Sequence, residues 1–90
     1  MNAKRTLTAY GVRVALWEMM AGDVTKPNED RRWFESDLIV RMAAKGATSR
    51  QVVNALIAYL DHGDLSVALD QHPSGKHEPS YRIVPVTAPQ

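Results

Sequence analysis

Arg50, Gln51 and Asn54 stand within one short run, and all three carry planar, forked hydrogen-bonding groups. An arginine fork matches the O6/N7 edge of guanine, and a primary amide matches the N6/N7 edge of adenine, so together they suit recognition of base edges in a major groove. At about 100° per residue on a helix, Gln51, Ala55, Ala58 and His62 fall on one face, with Asn54 at its border and Arg50 at its mouth. That face holds no carboxylate, whereas an ordinary solvated face would carry Glu and Lys pairs three or four apart. Two alanines between amides leave a low surface that another body can approach closely. Duplex DNA is one such body, and a neighbouring helix or subunit is the other.

The element carrying these residues has both ends marked. Thr48 can accept from the first turn while Gln51, three residues on, reaches back to the Thr48 backbone, the two halves of a capping box. Gly63 supplies a left-handed stop. Between them Val53, Leu56, Ile57 and Leu60 make the stripe expected to face a core.

The rest of the chain must position that helix. A helical pattern from about Thr8 to Ala21 repeats as Tyr10, Val14, Trp17 and Ala21, widened by Val12, Leu16, Met19 and Met20, with Thr6 or Thr8 as its cap and Gly22 as its end. Residues 22–32 have no apolar period and contain a Pro-Asn turn signal, so they read as an exposed loop. Trp33-Phe34 reads as a short buried segment or edge strand. Ser36 is then placed as the cap of a second helix with Leu38, Ile39 and Met42 apolar and Gly46 as its stop. Only Ala47 separates that glycine from the next cap, so the two helices must cross steeply. After Gly63 the period changes from 3.6 to 2: Leu65, Val67 and Leu69 alternate with polar or small residues, as do Tyr81 and Ile83, giving a hairpin around a polar loop at 72–79. Pro85 and Pro89 end the second strand.

In this order the elements resemble a winged helix-turn-helix domain, a family of DNA-binding modules, over roughly residues 8–86. The carriers are Phe34-Glu35-Ser36-Asp37-Leu38-Ile39, the turn Gly46-Ala47-Thr48-Ser49, and the spacing Val53, Leu56, Leu60, Gly63, Leu65. The resemblance implies an α+β, mainly α fold: three helices plus a C-terminal two-stranded β-hairpin wing, as one domain over 1–90. It also implies a third helix in the major groove, with Arg50, Gln51 and Asn54 reading bases. Lys45, Thr48, Ser49, Lys76 and Arg82 would then contact the DNA backbone.

Composition narrows the alternatives. Ninety residues at 44% hydrophobic content fill one small core, and with no cysteine neither a disulfide framework nor a thiolate metal site is available. The net charge of +1 averages unlike stretches. Residues 1–13 hold Lys4, Arg5 and Arg13 without an acid, and residues 38–60 hold Arg41, Lys45 and Arg50 without an acid. Residues 18–37, in contrast, set Glu18, Asp23, Glu29, Asp30, Glu35 and Asp37 against Lys26, Arg31 and Arg32. The N-terminal basic arm suits a phosphate backbone or a frayed terminus. Neither a Gly-x-Ser-x-Gly elbow nor a His-Glu-x-x-His motif is present. Ser74-Gly75-Lys76-His77 lacks the upstream glycine of a phosphate loop, and the spacing of His62, His72 and His77 does not converge them on a metal. Trp17, Trp33, Phe34, Tyr10 and the methionines read as core filling.

The sequence is therefore read as a non-enzymatic, cofactor-free, cytoplasmic protein with no membrane segment. It is expected to bind double-stranded DNA sequence-specifically as a small transcriptional regulator or repressor, and to double its site as a homodimer. The alternative is a winged-helix module for protein contact, within a replication or phage-derived regulatory complex.

Overall fold

The computed structural model describes residues 7–22 and 31–84. Lys4 and Arg5 of the basic arm, the Thr6 alternative for the first cap, the loop over 23–30, and Pro85 and Pro89 lie outside the described residues. In chain order the elements are α1 (Ala9–Gly22), β1 (Trp33–Phe34), α2 (Glu35–Ala43), α3 (Ser49–His62), β2 (Leu65–Gln71) and β3 (His77–Ile83). The fold is α+β and mainly helical, with three helices against one antiparallel sheet of order β1-β3-β2. The expected two-stranded sheet is thus corrected to three strands: Trp33 lies opposite Tyr81 and Phe34 opposite Ser80. Two residues are too few to display an alternating period, which is why this strand reads weakly in sequence.

Several helix ends follow their residues closely. The Gly11 N–H donates to Thr8 Oγ1 at 3.0 Å, the bond of a threonine cap. A Cβ on Gly11 would lie only 3.2 Å from that oxygen, so the glycine gives the cap room. Gly46 and Gly63 take φ of 96° and 80° after α2 and α3, a conformation that costs glycine nothing. The role assigned to Ser36 is different. Helix α2 starts one residue before it, with Phe34 in the cap position and no side-chain cap bond. One backbone donor of this N-terminus is met from the sheet: the Ser36 N–H, together with its hydroxyl, donates to the Glu78 carboxylate at 2.9 and 3.0 Å.

Two more contacts pin the hairpin over the first turn of α2. The Tyr81 hydroxyl donates to Glu35 at 3.3 Å, and His72 Nε2 lies 3.3 Å from the Asp37 carboxylate. Burial, reinforced by the neighbouring Glu35 charge, pushes the Tyr81 phenol up to about 12. The polar loop between the strands is shorter than expected, because β3 already begins at His77. His72 donates its N–H to Lys76, and Gly75, at φ 100°, donates to His72, closing the turn. Pro79 therefore falls inside the central strand, where proline is normally excluded. The pairs Asp64–Val84 and His72–Lys76, which flank β2 and β3, are hydrogen-bonded and the register steps evenly between them, so by alternation the nitrogen of Pro79 points away from β2. On that side β1 has ended, its last pair being Phe34 with Ser80, and no ladder bond is lost.

The core is built from Val12, Leu16 and Met20 of α1, Trp33, Leu38 and Met42, Ala47, then Val52, Ala55 and Leu56 of α3, closed by Leu65 and Tyr81. Burying each large aliphatic side chain contributes about 1.5–3 kcal/mol. Both helical stripes differ from the periodicity reading. In α1 the core takes the face that widened the expected stripe, while Tyr10 is 75% exposed and Val14 is exposed too. In α3 the buried set is rotated by about one residue, or about 100°: Val53 and Leu60 are half-buried and Ile57 is exposed, whereas Val52 and Ala55 are inside. Both helices have apolar side chains on more than one face, so periodicity alone does not choose between them.

The Glu78 contact makes stability pH-dependent. Hydrogen bonds from Ser36 hold its carboxyl below the ordinary 4.5. The stabilisation is therefore complete above the ordinary value and is lost as pH falls through the lowered folded-state value. Glu78→Gln is expected to lower the melting temperature at about pH 7, and the difference from the wild type should shrink as pH falls through the lowered folded-state value and vanish once both side chains are neutral. A melting-temperature difference that stays constant from neutral to acid pH would contradict the role of the charge.

Candidate nucleic-acid interface

The N-terminal half of α3 is held by a capping box. Thr48 lies in extended conformation at φ −81°, ψ 159°. Its Oγ1 accepts from the Gln51 N–H at 3.1 Å, while Gln51 Oε1 accepts from the Thr48 N–H at 2.9 Å. The other end of the same amide is also engaged, since Gln51 Nε2 donates to the Leu7 carbonyl at 2.8 Å. Both functional atoms of Gln51 are thus bonded within the chain, and the base-reading role expected of it is corrected to a structural one. Gln51 joins the start of α3 to the segment leading into α1.

The small-residue face continues that junction. Ala55, one turn after Gln51, is buried. Tyr59, a further turn on, donates its hydroxyl to the Arg13 carbonyl at 2.6 Å and stacks on Trp17 with ring centroids 5.1 Å apart. Burial raises the Tyr59 phenol above its ordinary value, opposed in part by the Arg13 charge. The face marked by Gln51, Ala55 and Tyr59 therefore packs along α1. Of the two partners that the alanines allowed, it takes a neighbouring helix, with Ala58 half-buried and His62 exposed.

What α3 presents to solvent is the adjoining face: Arg50, Asn54, Ile57 and Asp61, all exposed. Arg50 and Asn54 keep the accessibility expected of them. Lys45 in the α2–α3 turn, Thr48 and Ser49 are exposed as well, so these five residues gather around the turn and the first turns of α3. Two further residues belong to this surface and are not among the DNA contacts expected from the sequence. Arg13 shares the groove between α1 and α3 with Ala9, Gln51, Asn54 and Ala55. Ile57, 50% exposed, adds an apolar contact of the kind that meets a thymine methyl. Arg13 is recognisable only once α1 is known to lie along α3. Asp61 places an acidic side chain on the C-terminal part of this face, leaving the N-terminal half as its cationic end.

Lys76 and Arg82 are not part of that cluster. Lys76 closes the hairpin turn, which His72 ties to Asp37 at the start of α2, whereas Lys45 follows the end of α2. The nine-residue α2 is about 13 Å long, which separates the two ends. Arg82 is half-buried in β3, opposite Ser66 of β2. His72, treated in the sequence as a loop histidine, bonds Ser74 and Asp37 and sets its ring edge-on to Phe34 at 4.8 Å.

The chain matches no protein-family model, no curated protein and no solved structure. Among the described residues, no helix is long and apolar enough to cross a membrane.

Gln51 and Asn54 should therefore separate in a stability measurement. Gln51→Ala removes one half of a capping box and leaves the Leu7 carbonyl without this donor, and is expected to cost about 0.5–2 kcal/mol in denaturant unfolding. Asn54→Ala, on the exposed face, should change stability by less than about 0.5 kcal/mol. A neutral Gln51→Ala would mean that the junction with Leu7 is not maintained in solution.

Proposed function

We propose that this chain binds double-stranded DNA through the N-terminal half of α3, as a small sequence-specific regulator or repressor. The observation that carries the reading is an exposed, acid-free surface from Lys45 to Asn54 at the start of a well-capped helix. Arg50 and Asn54 are the base-reading pair: a guanine or phosphate for the guanidinium, an adenine edge for the amide. Lys45, Ser49 and Arg13 flank them as phosphate contacts, with the Thr48 hydroxyl beside them. Phosphate contacts set register and carry no sequence information themselves. Lys76 and Arg82, apart from this cluster, would contribute only where the DNA reaches the hairpin.

The element order α1-β1-α2-α3-β2-β3, with β1 added to the hairpin, is compatible with a winged helix-turn-helix domain, in which β2 and β3 would be the wing. A second reading, a winged-helix module for protein contact, is favoured by exposed apolar side chains on α2 and α3, Val40 at 71% and Ile57 at 50%. Salt separates the two, because displacing counterions from phosphates makes affinity fall steeply as salt rises.

The test is fluorescence anisotropy with duplexes selected from a random pool, across a salt series. Binding should weaken steeply with salt. Arg50→Ala and Asn54→Ala should each lose about 1–3 kcal/mol on the selected site, while Asn54→Ala leaves affinity for scrambled duplex nearly unchanged. Absent or salt-independent binding would overturn the DNA reading in favour of the protein-contact module.

A further inference from the structure

Of the two edges of the sheet, β1 offers only two residues and β2 offers seven. Edge strands are normally blunted by proline, lysine, a bulge or a short length, because their unpaired N–H and C=O groups template association. β2 has none of these. It runs seven residues, Leu-Ser-Val-Ala-Leu-Asp-Gln, in unbroken pairing with β3. Its single charge is turned onto its own sheet: Asp70 accepts from the Ser80 hydroxyl at 2.6 Å and lies 3.9 Å from Arg32.

The pairing phase identifies which groups are open. Asp64 and His72, flanking β2, bond with Val84 and Lys76, which flank β3, so alternation directs the even-numbered residues of β2 inward and leaves the N–H and C=O groups of Leu65, Val67, Leu69 and Gln71 on the outer edge. On one face of the same strand Val67 is 50% and Leu69 70% exposed, an inversion of the usual placing of apolar side chains. With Ala68 and Pro79 they line a shallow apolar depression.

We propose that β2 pairs antiparallel with β2 of a second copy of this chain, joining two three-stranded sheets into one of six strands. The occupant follows from self-complementarity. With the two-fold axis at Ala68, the outward-bonding residues fall opposite one another, Leu65 with Gln71 and Val67 with Leu69 of the second copy. This register forms about eight inter-chain hydrogen bonds at two per bonded pair. Ser66 faces Asp70, a hydroxyl against a carboxylate, and no like charges meet directly. Val67 and Leu69 of both copies join into one apolar strip across the axis. The contact is isologous, so it closes as a dimer and leaves no further edge at β2. It supplies the surface for the homodimer expected from the sequence, and it stands apart from the DNA reading because it uses no residue of α3.

The test is the mass of the full chain by size-exclusion chromatography with light scattering over a concentration series, without DNA. The wild type should run at twice the chain mass of 10.0 kDa. Val67→Lys with Leu69→Lys sets lysine against lysine in this register and should halve that mass, with an unchanged circular dichroism spectrum showing that the monomer still folds. Ala68→Cys should form a disulfide-linked dimer on mild oxidation, since directly opposed, non-hydrogen-bonded residues bring their Cα atoms within bridging distance. A wild type at monomer mass throughout, or a lysine variant that keeps the dimer mass, would overturn the pairing.

Discussion

One amide side chain decides which way the third helix faces. Gln51 accepts from the Thr48 N–H and donates to the Leu7 carbonyl, so the same group that starts α3 fixes its rotation about its own axis against α1. Ala55 and Tyr59 follow on successive turns, the first by being small enough for close approach, the second by bonding Arg13 and stacking on Trp17. With that face inward, Val52 and Leu56 enter the core and Arg50, Asn54 and Ile57 turn to solvent. The surface that α3 offers depends on this rotation, because a shift of one residue exchanges the exposed Asn54 for the buried Ala55.

The sheet is fixed by a second, separate set of polar contacts at the opposite end of α2. Glu78, His72 and Tyr81 reach Ser36, Asp37 and Glu35 in turn. The Glu78 contact satisfies one backbone donor at the start of a helix that has no side-chain cap of its own, and the three together hold the hairpin against α2. β2 lies at the edge of that sheet. The surface proposed for DNA and the edge proposed for self-association are therefore carried by different elements.

Much of this was legible in the residues because it is local. The capping box of Thr48 and Gln51, the glycine stops at Gly46 and Gly63, and the change of period after Gly63 are each written within a few positions. What was not legible is relational. In sequence Gln51 has the form of a base-facing amide, because nothing in its neighbourhood reveals that Leu7, forty-four residues away, will offer a carbonyl. Ala55 was read as a low outer surface for the same reason, although a small residue serves close packing equally well. Tyr10 and Val14 repeat at helical spacing as regularly as Val12 and Leu16, so periodicity fitted two faces of α1 and only the position of α3 and the sheet separates them. Trp33-Phe34 forms a strand because β3 lies beside it, and Ser36 is displaced from its cap because Glu78 comes from the far hairpin.

The rotation of α3 can be measured directly because the chain contains no cysteine. Single variants Asn54→Cys and Ala55→Cys, each treated with a maleimide under native conditions, report which side is turned out. The thiol of Asn54→Cys should react at nearly the rate of the unfolded chain and become protected when duplex DNA is added. The thiol of Ala55→Cys should react slowly with or without DNA until the protein is denatured. Rapid native labelling at position 55 with protection at position 54 in the free protein would contradict it.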